Sequence, residues 1–147
     1  MTKNTGKASE AIFEGHWEAR GKLAYLERRY DLAFVRGYNP GIHGLKFPPQ
    51  PSDYLLTVDG QTHYCEVKSC SNKTSFPFGQ IEQGQWSALK QVTAAKGSYL
   101  FFIHNKLTDE WFRVPGSFIL DLEKDFKSVP WDTLRLLYSW FPISKAA

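Results

Sequence analysis

The chain has 147 residues and a net charge of +3. That is enough for one domain with a single core, and too small an excess of charge to mark a nucleic-acid partner unless basic residues cluster locally. Eleven Phe, seven Tyr and five Trp exclude a disordered chain. No apolar run is long enough to cross a bilayer, and the polar start over residues 1–7 does not resemble a secretory leader, so a soluble cytoplasmic protein with no membrane partner is expected. Cys65 and Cys70 are the two cysteines. They form no C-x-x-C pair, and no second pair completes a zinc site; His63 lies near, but a buried strand residue at 65 and a loop thiol at 70 are the simpler reading.

Ala8, Ile12, Phe13, Trp17, Leu23 and Leu26 recur at helical spacing over residues 6–29, with an irregular patch at Gly21. Arg20, Lys22, Arg28 and Arg29 fall in the C-terminal half of this helix, where cations suit the dipole. A short strand is expected over 32–36. Four prolines and three glycines exclude a regular element over 37–51, and a connection of that length inside one compact domain is functional or disordered. Strands over 53–58 and 61–68 flank Asp59-Gly60, a strong two-residue hairpin signal. After a polar loop over 69–79, a helix spans 80–96, with Ile81, Ala88, Leu89 and Val92 on one face and Gly97 as its stop. The run Tyr99-Leu100-Phe101-Phe102-Ile103 suits a strand buried on both faces, and 110–114 supplies another. The tail reads as two helical pieces, 118–126 and 131–140. The order α-β-β-β-α-β-β-α describes one α/β (α+β) domain over residues 1–147, a mixed sheet flanked by helices.

The hairpin fixes a register. A two-residue turn at Asp59-Gly60 pairs Val58 with Gln61 and Thr57 with Thr62, and places Asp53 opposite Glu66, where Cβ atoms lie roughly 4.5–5.5 Å apart. Side chains alternate with period two, so Glu66 and Lys68 share that face and Val67 points away. Two opposed carboxylates destabilise a sheet and invite a cation between them. Magnesium, which prefers oxygen donors and uses one or two carboxylates, is the natural candidate, with phosphate-ester hydrolysis the reaction it serves. Lys68 would hold the attacking water or neutralise a phosphate oxygen. The bland alternative is a solvated strand face, since E-x-K is common by chance, and a bulge would separate the groups.

Ser52-Asp53 followed by Glu66-Val67-Lys68 resembles the PD-(D/E)xK nuclease motif, with Ser in place of the usual proline. The segment from Asp53 to about Val92 resembles the RecU family of Holliday junction resolvases more closely. The similarity rests on Glu66-Val67-Lys68, the run Asn72-Lys73-Thr74-Ser75-Phe76-Pro77, Gln85, and Gln91-Val92. Gly6-Lys7-Ala8-Ser9-Glu10 is similar to the family's Gly-x-x-x-Glu opening. The resemblance implies a restriction-endonuclease-like core and a Mg²⁺-dependent endonuclease, with Mn²⁺ as substitute. It implies Asp53, Glu66, Lys68 and Glu10 as catalytic residues, with Asp53, Glu66 and the Val67 carbonyl on the metal. The residues alone express no preference between Glu10 and Glu14, one turn apart on one face. It further implies a homodimer that nicks two strands of a four-way DNA junction symmetrically, in recombination and repair. A stalk between the first two strands enters the junction in that family; residues 37–51 occupy its place and are shorter.

The remaining candidates are DNA contacts. Lys73 follows the acidic strand and would meet a phosphate. Gln85, by the resemblance, faces the site. Tyr38, His43, Lys46 and Phe47 mix basic and aromatic character in the 37–51 loop, a composition that binds phosphates and stacks on unpaired bases; the equal alternative is that Phe47 pins the loop to the body of the domain. Lys7 joins them, although basic residues of the first helix more commonly serve solubility. Trp86, Trp111, Trp131 and Trp140 read as core or interface. Two other readings stand beside junction resolution: a restriction- or repair-type nuclease of the same superfamily acting on duplex or other branched DNA, and a catalytically silent junction-binding protein.

Overall fold

Gly21 decides where the first helix ends. In the computed structural model, which describes residues 5–29 and 50–143, α1 (Thr5–Ala19) buries Phe13 and Trp17 and then stops. Gly21 takes φ +61°, a left-handed conformation that glycine adopts without steric cost. A 3-10 turn at Gly21–Leu23 then leads directly into β1 (Ala24–Arg28). The helix expected over 6–29 is therefore a helix and a strand, because Leu23 and Leu26 continue the helical spacing by coincidence. The strand expected over 32–36 lies outside the described residues, as does the 37–51 loop up to residue 49.

The Asp59-Gly60 hairpin forms as expected. Asp59 and Gly60 have φ of 53° and 77°, both positive as a type I′ turn requires. β2 (Tyr54–Val58) and β3 (Gln61–Cys70) pair antiparallel with Val58 opposite Gln61, Thr57 opposite Thr62 and Tyr54 opposite Cys65. The bulge that would have broken the register is absent from this ladder. Cys70 ends β3 and is buried, so it is a strand residue and not a loop thiol.

The chain continues through β4 (Ser75–Pro77), a 3-10 turn, α2 (Gln83–Ala94), β5 (Ser98–Asn105), β6 (Glu110–Pro115), α3 (Gly116–Glu123), β7 (Ser128–Pro130), α4 (Trp131–Tyr138) and β8 (Ser139–Trp140). The main sheet runs β1-β2-β3-β5-β6-β8, and β4 pairs with β7 in a separate ribbon. β3 and β5 are parallel, joined through α2; the other described pairs are antiparallel. β4 lies inside the segment expected to be loop, and the helix expected over 131–140 gives its last two residues to β8.

The sheet has a core on each face. Phe13, Trp17, Tyr54, Leu56, Cys65, Leu100 and Phe102 pack on the α1 side. Phe76, Leu89, Tyr99, Phe101, Ile103, Ile119 and Trp131 pack on the other. β5 alternates between them, which is why its sequence reads as an unbroken apolar run. Each fully buried side chain of this kind contributes about 1.5–3 kcal/mol. Gly116 opens α3 at a close approach: a Cβ there would lie 2.2 Å from Leu89 Cδ1 and 2.9 Å from the Tyr99 carbonyl. Among the described residues no helix is long and apolar enough to cross a membrane.

Candidate active site

β3 carries the site because its alternation sends Cys65 and Val67 into the α1-side core, while Tyr64 and Cys70 join the opposite core. Glu66 and Lys68, in phase with Tyr64, therefore share the α2 face. Asp53 is a bend residue just before β2. Its carbonyl accepts the Arg29 N–H at 2.7 Å, extending the β1 ladder. Its own N–H donates to Glu66 Oε2 at 2.8 Å. The Glu66 carboxylate thus takes the place of a main-chain acceptor one step beyond the Tyr54–Cys65 rung, and Asp53 is held beside it.

The second oxygen of Glu66 is engaged from α2. Gln85 Nε2 donates to Glu66 Oε1 at 2.8 Å. The Glu82 N–H donates to Gln85 Oε1 at 2.9 Å, which fixes the orientation of the amide and keeps its NH₂ on Glu66. Glu66 is only 2% exposed. Burial, and then the Asp53 carboxylate, push it up to about 8, against the opposing pull of Lys68 and of the Asp53 N–H. A carboxyl perturbed by burial and by a second acid is the kind of group that clusters at functional sites.

Glu10 and Glu14 are placed differently. Arg28 Nη2 lies 3.3 Å from Glu10 Oε1 and Arg28 Nη1 lies 2.6 Å from Glu14 Oε2. Tyr54 Oη donates to Glu14 Oε2 at 2.5 Å and accepts from Arg28 Nη1 at 2.9 Å. Both helix glutamates are thus bonded to one guanidinium, on the α1 side. Among the described residues no group of three or more His, Cys, Asp or Glu side chains is arranged to hold a metal. The acidic pair stands as a pair, which suits an ion that fills its remaining positions with water and substrate oxygens.

The run Asn72–Pro77 does structural work that the sequence reading missed. Asn72 Oδ1 accepts the N–H groups of Thr74 and Ser75 at 3.1 and 3.3 Å, an Asx turn. Trp131 Nε1 donates to the Asn72 carbonyl at 2.8 Å, and Phe76 is fully buried. Lys73 projects from this turn, exposed. Lys7 is also exposed, on α1. Tyr38, His43, Lys46 and Phe47 lie outside the described residues. Ser52, in the motif's usual proline position, is 1% exposed and donates to the Tyr54 carbonyl at 2.8 Å. The Arg28–Tyr54 contact was also missed; the facing of Arg28 onto Glu10 and Glu14 needed β1, which helical spacing concealed.

The family described as RecU, recombination protein U, matches residues 48–141. No curated protein matches the chain by sequence. Among solved structures, Archaeoglobus fulgidus Hjc, a Holliday junction resolvase from an archaeal hyperthermophile, is similar with a TM-score of 0.53 at 12% identity, covering 90% of this chain and 90% of that one. At that identity the likeness bears on the fold, a mixed sheet flanked by helices as expected. The family match spans Asp53, Glu66, Lys68, Lys73 and Gln85, well over half of the sequence, and the chain belongs to the RecU family.

Proposed function

We propose that the chain is a divalent-metal-dependent endonuclease that acts as a homodimer on four-way DNA junctions, with Asp53 and Glu66 as its metal-binding pair. The family carries junction-resolving nuclease activity in recombination; the metal and the roles of Asp53 and Glu66 are drawn from the site, and the dimer from the resemblance to the family. One observation carries the reading: a carboxylate 2% exposed, donated to by Gln85 and by the Asp53 N–H, and repelled by a second carboxylate. A structural role gains nothing from a half-buried acid set against a buried one, whereas a hard, oxygen-seeking cation is held by one or two carboxylates.

Asp53 and Glu66 fit such an ion, with the Val67 carbonyl as a further donor. When bound, magnesium (or manganese) supplies positive charge for the scissile phosphate and acidity for a water nucleophile. The chain's own residues do the rest. Gln85 holds Glu66 in one rotamer. Lys68, on the Glu66 face, positions the nucleophile or offsets charge on a phosphate oxygen. Lys73 and Lys7 meet backbone phosphates. Glu10 pairs with Arg28 on the α1 side and is assigned to the catalytic set by the family pattern alone, and Tyr38, His43, Lys46 and Phe47 contact the junction. A junction has approximate two-fold symmetry, so a two-fold dimer presents one site to each of two strands.

The test compares cleavage of an immobile four-way junction with that of a linear duplex of the same sequence, in magnesium and in chelator. Paired symmetric nicks in the junction are expected in magnesium alone. Asp53→Asn and Glu66→Gln should each lower the rate by about a hundredfold or more while keeping the fold by circular dichroism. Cleavage at the wild-type rate by both variants would sink the assignment. Equal cutting of the duplex would turn the reading toward a restriction or repair nuclease.

A further inference from the structure

A groove of about 350 Å³ opens on the α2 face of β3, lined by residues two positions from each member of the acidic pair. Gly84, Ser87, Ala88 and Gln91 line it from α2 at the spacing of a single helix face. Tyr64 and Pro51 line the opposite side. Each of these two is two residues from a member of the pair: Tyr64 precedes Glu66 on the same face of β3, roughly 7 Å along the strand, and Pro51 precedes Asp53. The groove is a built feature. Tyr99 Oη donates to the Pro51 carbonyl at 2.6 Å, which pins one wall. The Tyr99 ring lies 18° from parallel to Tyr64, with centroids 6.3 Å apart, and backs it. Gln91 Nε2 donates to Ser87 Oγ at 3.1 Å, so its carbonyl and second N–H remain to serve an occupant.

None of the lining residues is charged. A phosphate would find no cation there. A nucleobase finds an aromatic ring, apolar walls from Pro51 and Ala88, and an amide that both donates and accepts. We propose that the groove takes a nucleobase of the cleaved strand, from the nucleotide next to the scissile phosphate, turned out of its stack. The proposal rests on Asp53 and Glu66 being the cleavage centre, because it is their spacing to the groove that selects the neighbouring nucleotide. Turning a base out costs least where it is already unpaired or poorly stacked, so the groove favours branch points over continuous duplex.

Ser87 is exposed and lies outside the acidic pair, and Ser87→Trp would fill the groove. Cleavage by wild type and Ser87→Trp would be compared on a parent junction and on junctions with an abasic nucleotide at each position flanking the cut. In parallel, 2-aminopurine at the same positions would report base environment on binding to Glu66→Gln, where no cleavage intervenes. The expected result is a loss of about tenfold or more in kcat/KM for Ser87→Trp on the parent. A similar loss is expected for wild type on one abasic position, with no further loss when the two are combined. The fluorescence change at that position should vanish when Ser87→Trp is added. Equal cleavage of parent and abasic junctions by wild type overturns the proposal. So does an equal loss for Ser87→Trp on both substrates, which would place a protein surface on the groove. If wild type cleaves no junction, the cleavage reading fails by itself, and 2-aminopurine placed in turn at each position around the branch point still decides the groove.

Discussion

Glu66 receives two hydrogen bonds and faces one repulsion. The Asp53 N–H and Gln85 Nε2 satisfy its two oxygens at 2.8 Å each, yet burial and the Asp53 carboxylate raise it from its ordinary 4.5 to about 8. The native state therefore holds a proton that the unfolded state has released, at every pH between those two values. Stability falls as pH rises through that window. In metal-free protein the loss is on the order of 5 kcal/mol, beginning near 4.5 and complete above 8. Urea denaturation in chelator across this range should show the decline, and Glu66→Gln should flatten it. A flat wild-type profile would mean that neither burial nor the Asp53 carboxylate raises Glu66. Magnesium added at the alkaline end should recover stability, since the cation replaces the lost proton as counter-charge.

At the scale of elements, legibility followed locality. The β2–β3 hairpin could be read because Asp59 and Gly60 tolerate positive φ, and the two-residue turn then fixes each partner up to Asp53 and Glu66. The hydrogen bond from the Asp53 N–H to Glu66 is the last consequence of that turn. β1 could not be read, since Leu23 and Leu26 sit on the helical period of α1 and Gly21 was the sole sign of a break. β4 was hidden for another reason: Ser75–Pro77 carries a proline and is only three residues long, so it resembles loop until β7 supplies a partner. Packing between elements was invisible in the same way. Nothing local marks Gly116, where α3 meets Leu89 of α2 and the Tyr99 backbone of β5. Gly116→Ala should destabilise by about 1–3 kcal/mol, because the Tyr99 carbonyl cannot move aside as a side chain can. Gly79→Ala, with nothing within 4 Å of its Cβ position, is the control for thermal denaturation and should be close to neutral.

The whole molecule is a sheet clamped from both sides, and two polar ties hold α1 to it, one toward each end of the helix. Ser9 Oγ meets His104 Nδ1 at 2.8 Å, and His104 Nε2 meets Asp109 Oδ1 at 2.7 Å, linking the start of α1 to the β5–β6 hairpin. Near the other end of α1, His16 Nδ1 accepts the Ile143 N–H at 2.8 Å, which draws the segment after β8 onto the helix. Ser9 is fully buried, so Ser9→Ala strands an imidazole nitrogen at a cost of about 1–3 kcal/mol. Hydrogen exchange should then show α1 amides losing protection ahead of those in β3 and β5. Uniform loss across the three elements would mean that α1 is held by its apolar face alone. These ties cross most of the chain, which is why no motif disclosed them.

The two kinds of pairing made by β3 also set an order of assembly. Its antiparallel neighbour β2 is reached across a two-residue turn, a closure of about 1–10 µs. Its parallel neighbour β5 is reached only after residues 71–97 have been drawn across as a crossover, a non-local event that two-state domains complete far more slowly. The expected order brings the acidic pair together while still in water, where its repulsion is screened, before β5 and α2 enclose it. Gly60→Val, which strains the turn, should slow refolding and leave the unfolding rate nearly unchanged in stopped-flow measurements.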